Sequence, residues 1–267
     1  MFTADSKTLS RLAPVVRRVV VVDPNASAAR LMTDIVKGFG AREVYVEGDE
    51  DLAMELIRDV EPGVIFIEHS GPTLNGESLA RKVRRSHMTC RTAPIIMVTA
   101  EATAATIRGA RDAGVHEFLR KPFTTGDLFK RVENVALKPR PWVEAVGYVG
   151  PDRRRFNSGE YSGAKKRRGD TDGGSVVDVR DQATRILVAA MTQFDQDPMQ
   201  AVRAIRQQAA TLKGLAVRTA DAKLAIAAAA LEGYLASGTP NKAGLAQPIG
   251  AILSLNPSAP APAQQAG

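Results

Sequence analysis

Five short runs rich in β-branched residues, at 19–22, 43–46, 64–67, 94–98 and 117–119, recur along the first half of the chain. Between and after them lie helical patterns at 26–37, 49–59, 76–85, 102–113 and 125–135. Few folds satisfy such an alternation. A strand that is apolar on both faces is covered on both faces, and consecutive strands separated by a full helix run parallel. The spacing predicts an α/β doubly wound five-stranded parallel sheet over residues 17–138, preceded by an N-terminal tail at 1–16.

After residue 138 the composition changes. Pro139 and Pro141 open a stretch rich in Gly, Ser and Arg that ends near residue 175, and it reads as a basic flexible linker over 139–175. The chain's formal net charge of +7 is concentrated there, in Arg153, Arg154, Arg155, Lys165, Lys166, Arg167 and Arg168 against Asp152 and Glu160. From 176 to 254 the pattern is helical throughout. Ile186, Leu187, Ala190, Met191 and Phe194 form one stripe, and Val202, Ile205, Ala209, Leu212 and Ala216 form a second. Leu224, Ala228, Leu231 and Leu235 form a third, and a weaker fourth through Leu245, Ile249 and Ile252 is interrupted by Pro248. Asp197-Pro198 is a helix start, an N-cap acceptor followed by proline at the first helical position. The expected product is a separate all-α helical bundle, with a disordered tail at 255–267.

The composition excludes several function classes. No apolar stretch approaches the roughly 20 residues that span a bilayer, and the N-terminus has no apolar signal core, so no membrane insertion and a cytoplasmic location are expected. The single cysteine, Cys90, makes neither an intramolecular disulfide nor a thiolate cluster. His69, His87 and His116 are the only histidines, and all lie in the first half. No phosphate-cradling glycine loop, metal cluster or nucleophile–base pair is visible, so the expectation is a non-enzyme with no cofactor and no bound metal.

Several motifs in the first half agree in order and spacing. Val21-Val22-Asp23-Pro24-Asn25 with Arg30 follows the first strand, Pro72 and Gly76 follow the third, and Val98-Thr99-Ala100 and Phe118-Leu119-Arg120-Lys121-Pro122-Phe123 close the set. Residues 17–138 thereby resemble a response-regulator receiver domain, with its receiver, flavodoxin-like fold. The resemblance implies a phosphoacceptor site at the carboxyl ends of the strands, and this sequence departs from it there. Two acidic residues are expected after the first strand and the chain has Asp23-Pro24; an acceptor aspartate is expected after the third and the chain has Glu68. Mg²⁺ wants several oxygen ligands in octahedral geometry, and glutamate places its oxygens one methylene further out. Phosphoryl transfer is mostly positioning and charge neutralisation, so the expectation is a degenerate site of Glu68, Asp23, Pro24, Thr99 and Lys121 that takes up no phosphate. The family roles put Lys121 on the phosphoryl group, Thr99 in the switch and Phe118 as the switch aromatic. A Glu68 carboxylate reaching Lys121 would imitate the phosphorylated state and hold the domain in an active-like conformation.

In the second half, Ala210-Thr211-Leu212-Lys213-Gly214-Leu215, followed by Leu231-Glu232, resembles a histidine phosphotransfer domain over residues 176–254. Ala210 stands where that family has its phosphorylated histidine, so the motif Ala210, Lys213 and Gly214 keeps at most a docking surface. Ala220 also departs from a glycine that the family often has. The sequence thus points to a non-catalytic protein of two-component or phosphorelay signalling that docks on a histidine kinase, a phosphotransfer protein or a response regulator. The alternative is an effector whose basic linker binds nucleic acid or a nucleotide messenger such as cyclic di-GMP, since clustered arginines capture phosphates in a salt-dependent way.

Overall fold

The computed structural model describes residues 5–153 and 176–255. They divide into two compact units, one of 5–143 with 148–153, the other of 144–147 with 176–255.

The first unit is the expected sheet. Its strands β1 (Arg18–Val22), β2 (Glu43–Glu47), β3 (Val64–Glu68), β6 (Ile95–Thr99) and β7 (Glu117–Arg120) pair in the order β2-β1-β3-β6-β7, all parallel. A two-stranded ribbon, β4 (Ser70–Gly71) with β5 (Leu74–Asn75), follows β3. Alternate side chains serve two cores, as the twofold period of a strand requires. Val20, Ile65, Ile67, Ile95 and Met97 face α3 (Glu50–Val60), α4 (Gly76–Arg85) and α5 (Ala104–Asp112). Val19, Val21, Phe66, Ile96 and Val98 face α1 (Ser6–Val16), α2 (Ala26–Gly38) and α6 (Thr125–Leu137). Local caps fix the helix starts: the Asn25 side chain accepts from the Ser27 and Ala28 amides, and Thr124 forms a reciprocal capping box with Asp127. Because β1 lies between β2 and β3, the chain reverses direction across the sheet at β1. The carboxyl ends of β1 and β3 flank the crevice where such folds bind ligands.

Two sequence boundaries are corrected. Residues 6–16 are not a tail but helix α1, whose Leu12 and Val16 are fully buried with α2 and α6. The stretch 139–153 is not a flexible linker. It carries β8 (Trp142–Glu144) and β9 (Val149–Pro151), and its aromatic side chains give it a fixed seat. The Trp142 ring lies 5.3 Å from the guanidinium of Arg84. Arg84, itself fully buried, donates to the carbonyls of Gly114 (2.8 Å), Arg91 (2.6 Å) and Ala93 (2.9 Å). Burial pushes this guanidinium down to about 9, and the carbonyls replace the water it gave up. Tyr148 is buried and donates to the Pro151 carbonyl at 2.6 Å. Gly150, at φ +156°, lets this segment lie against Gly114; a Cβ there would stand 2.7 Å from the Gly114 Cα.

The second unit is an all-helical bundle of α7 (Val176–Thr192), α8 (Pro198–Thr219), α9 (Ala222–Ala236) and α10 (Lys242–Ser254). The sequence stripes meet in one core containing Leu187, Ile205, Leu212, Leu231, Leu245 and Ile252. Asp197 caps α8 as its sequence predicts, accepting from the Gln200 amide at 3.0 Å, and α10 continues through Pro248. Val146 joins this core, and the buried Gln200 side chain donates to the Glu144 carboxylate (3.3 Å) and the Ala145 carbonyl (3.2 Å). The expected disordered tail falls, from residue 256 onward, outside the described residues.

Candidate functional site

At the carboxyl end of β1, Asp23 turns its carboxylate back over the sheet, with Oδ1 accepting from the Asn25 amide at 2.9 Å. At the end of β3, Glu68 Oε1 accepts from the His69 amide at 2.9 Å. The free oxygen of each meets Lys121, which follows β7: Lys121 Nζ donates to Asp23 Oδ2 at 3.1 Å and to Glu68 Oε2. The side chains of Asp23, Glu68 and Lys121 are 10%, 13% and 28% exposed, so the cluster is sheltered. Burial by itself would lower the Lys121 amine. The hydrogen bonds that it donates to Glu68 and Asp23, with the charge of those carboxylates, outweigh it and hold the amine above its ordinary value. Lys121 is thus a charged ammonium with two carboxylate partners, and the cluster carries one net negative charge.

Pro24 follows Asp23 and brings no carboxylate. A Cβ on Gly71 would stand 2.5 Å from the Pro24 Cγ, and one on Gly48 3.1 Å from the Pro24 Cα. The ring therefore sits between two residues that have no side chain of their own. The residues around Asp23 do not fit a divalent cation, which wants several oxygen ligands in octahedral geometry, because Pro24 offers no side-chain oxygen.

The other residues singled out in the sequence divide. Thr99 is buried at the end of β6; its Oγ1 accepts from the Glu101 amide (3.0 Å) and its carbonyl from the Lys121 amide (2.7 Å). Phe118 is buried in the core under α3, α4 and α5. His69 lies outside the Lys121 cluster, with Nε2 3.5 Å from Glu77 Oε1. His116, just before β7, packs against Arg84. Its Nδ1 receives the Ile95 amide at 3.3 Å and lies 3.0 Å from Arg84 Nη2, and burial with Arg84 and Arg140 nearby drives the imidazole well below its usual range. Arg153, read as an anion ligand, is engaged within the first unit: Nη1 is 2.9 Å from Asp112 Oδ1 and the guanidinium lies 4.4 Å from the Tyr148 ring. Arg154, Arg155, Lys165, Lys166, Arg167 and Arg168 lie outside the described residues.

In the helical unit, Ala210, Lys213 and Gly214 share the exposed side of α8. Lys213 Nζ is 2.6 Å from Glu232 Oε2 of α9, and a Cβ on Gly214 would meet open space. No ionisable side chain stands at position 210, so the surface carries charge and no nucleophile there.

A feature that the sequence did not single out is a cleft of about 540 Å³ beside the Lys121 cluster, between α2 and the segment that joins β7 to α6. Leu31, Met32 and Ile35 form one wall and Pro122 and Phe123 the other, with Asp23, Glu68 and Lys121 at one end. Its apolar wall on α2 is hard to see in sequence, because its spacing is also that of an ordinary core stripe.

Comparison with known proteins agrees with this geometry. The response regulator receiver domain family matches residues 19–133. The DNA-binding response regulator MtrA of Mycobacterium tuberculosis is 28% identical over 116 residues, 43% of this chain and 49% of MtrA. The transcriptional regulatory protein PdtaR of the same organism is 29% identical over 146 residues, 55% of this chain and 69% of PdtaR. The chain thus spans about half the length of MtrA. Among solved structures, the chemotaxis protein CheY4 of Vibrio cholerae is 23% identical with a TM-score of 0.42, over 45% of this chain and 98% of CheY4. No helix among the described residues is long and apolar enough to cross a membrane.

Proposed function

We propose, from the premise that residues 19–133 are a response regulator receiver domain, that the chain serves two-component signalling by docking on its partners without accepting phosphate. The observation that carries this reading is the Lys121 ammonium bonded to both Asp23 and Glu68, in the place where a phosphorylated receiver would bring lysine to the phosphoryl group. With Pro24 filling the second acid's position, the divalent cation has no seat, and in-line transfer loses the charge neutralisation on which it depends. The Glu68–Lys121 bond also supports an active-like state that needs no phosphodonor, because it favours whichever arrangement of the β7 end keeps the pair closed.

The helical unit supports docking on the same argument. It resembles a phosphotransfer domain in motif, and Ala210 leaves it unable to carry phosphate, while Lys213, Gly214 and Glu232 remain on its surface. The partners of such a protein are a histidine kinase, a phosphotransfer protein or another response regulator. The chain is not an enzyme on this reading.

A second reading is an effector of nucleic acid, favoured by the naming of MtrA as DNA-binding and by the cluster of basic residues at 153–168. The test is incubation of the full chain with acetyl phosphate and Mg²⁺, read by intact mass, beside the same experiment on Pro24→Asp/Glu68→Asp. An unchanged mass for the natural chain and a phosphoryl adduct on the double variant are expected; an adduct on the natural chain overturns the reading. Capture with a duplex DNA bait in the same preparation decides the second reading, which requires retention that falls steeply with salt.

A further inference from the structure

We infer that the cleft beside Lys121 is a binding site for a small organic cation with an apolar body. Its volume of about 540 Å³ lies within the range of small-molecule sites, which are mostly apolar with a few convergent polar groups. The walls supply the apolar surface: Leu31, Met32 and Ile35 on α2 face Pro122 and Phe123 across the cleft. Leu31 is 57% exposed, so its apolar surface is open to a ligand.

The charged residues of the lining set the sign of the ligand. Asp23 and Glu68 bring two negative charges and Lys121 one positive, and the ammonium gives two of its three N–H donors to these carboxylates. The partly positive N-terminus of α6, which would otherwise welcome an anion, is capped by Asp127: the carboxylate accepts from the Thr124 amide at 2.9 Å and the Thr124 hydroxyl at 2.7 Å. Each carboxylate keeps unused acceptor capacity beyond the two bonds it makes. An ammonium or amidinium entering along the apolar walls finds acceptors ready, whereas a carboxylate or phosphate meets one excess negative charge.

The cleft shares Asp23, Glu68 and Lys121 with the reading above, but its test reads the binding of a small cation and not phosphate uptake or partner docking, so either can fail without the other. The probes are phenethylammonium and 3-phenylpropionate, which share a phenylalkyl body and differ in charge, titrated into the full chain by calorimetry and by methyl NMR. The cationic probe is expected to bind at least about tenfold more tightly than the anionic one and to shift the methyl signals of Leu31, Met32 and Ile35. Leu31→Lys, a change at an exposed position that leaves the core intact, is expected to weaken the cationic probe at least about tenfold. Equal affinity for the two probes, an absence of methyl shifts up to the solubility limit, or full binding by Leu31→Lys overturns the inference.

Discussion

Each unit pairs a lysine with carboxylate, and the two pairings differ in depth and in number of partners. Lys121 of the first unit sits in a sheltered cluster with two carboxylates from the ends of different strands. Lys213 of the helical unit is half exposed and meets a single carboxylate on the next helix. In the first unit Glu68 is bonded into the structure, to the His69 amide and to Lys121. In the helical unit Ala210 brings only a methyl to the exposed side of α8. A buried charge cluster contributes to stability because each member depends on the others, whereas an exposed pair is screened and mostly free of such dependence.

The largest expected effect comes from removing the ammonium at the centre of the first cluster. Lys121→Met leaves Asp23 and Glu68 facing each other without a counter-ion and is expected to lower the unfolding free energy by about 2 to 3 kcal/mol, read from the urea midpoint. The same bond has a pH signature. Because the folded amine is raised above 10.5, its contribution is complete below that value and is lost as pH rises through the higher folded value. Alkaline urea titrations should therefore show a loss of stability that Lys121→Met lacks; identical alkaline curves would mean that the amine is not held by the carboxylates.

A smaller effect tests whether Pro24 is built into the site. Gly71→Ala places a Cβ against the Pro24 ring and is expected to cost about 1 to 2 kcal/mol, and Pro24→Ala should recover most of it in a double-mutant cycle. Additive effects would show that the ring has room to move. In the helical unit, Ala220 ends α8 in the left-handed region at φ +53°, so Ala220→Gly is expected to stabilise the chain by about 1 kcal/mol in thermal melts. The smallest effect belongs to Lys213→Met, expected within about 0.5 kcal/mol of the natural chain. A cost like that of Lys121→Met would remove the contrast between the two lysines.

The strands and most helices were legible because their apolar periods are local, and Asp23, Pro24, Glu68 and Lys121 were legible because motif spacing places them at strand ends. Helix α1 was not, since Leu9, Leu12, Val15 and Val16 form too short a stripe to stand apart from a polar terminus, and Pro14 interrupts it. The segment around Trp142 and Tyr148 read as a linker because its prolines, glycines and charges carry that composition. Its order comes from partners remote in sequence, Arg84 for Trp142 and Asp112 for Arg153.

The sequence by itself determined the doubly wound sheet, the helical bundle and the residue types, Glu68 and Ala210, that stand at the two motif positions. Each follows from residue types at short, regular intervals. Only the tertiary structure decided that Lys121 bonds both Asp23, 98 positions away, and Glu68, 53 positions away, and that an apolar cleft opens beside them. Such long-range contacts depend on where three strand ends and two helices come to rest, and no local pattern encodes the distance between them.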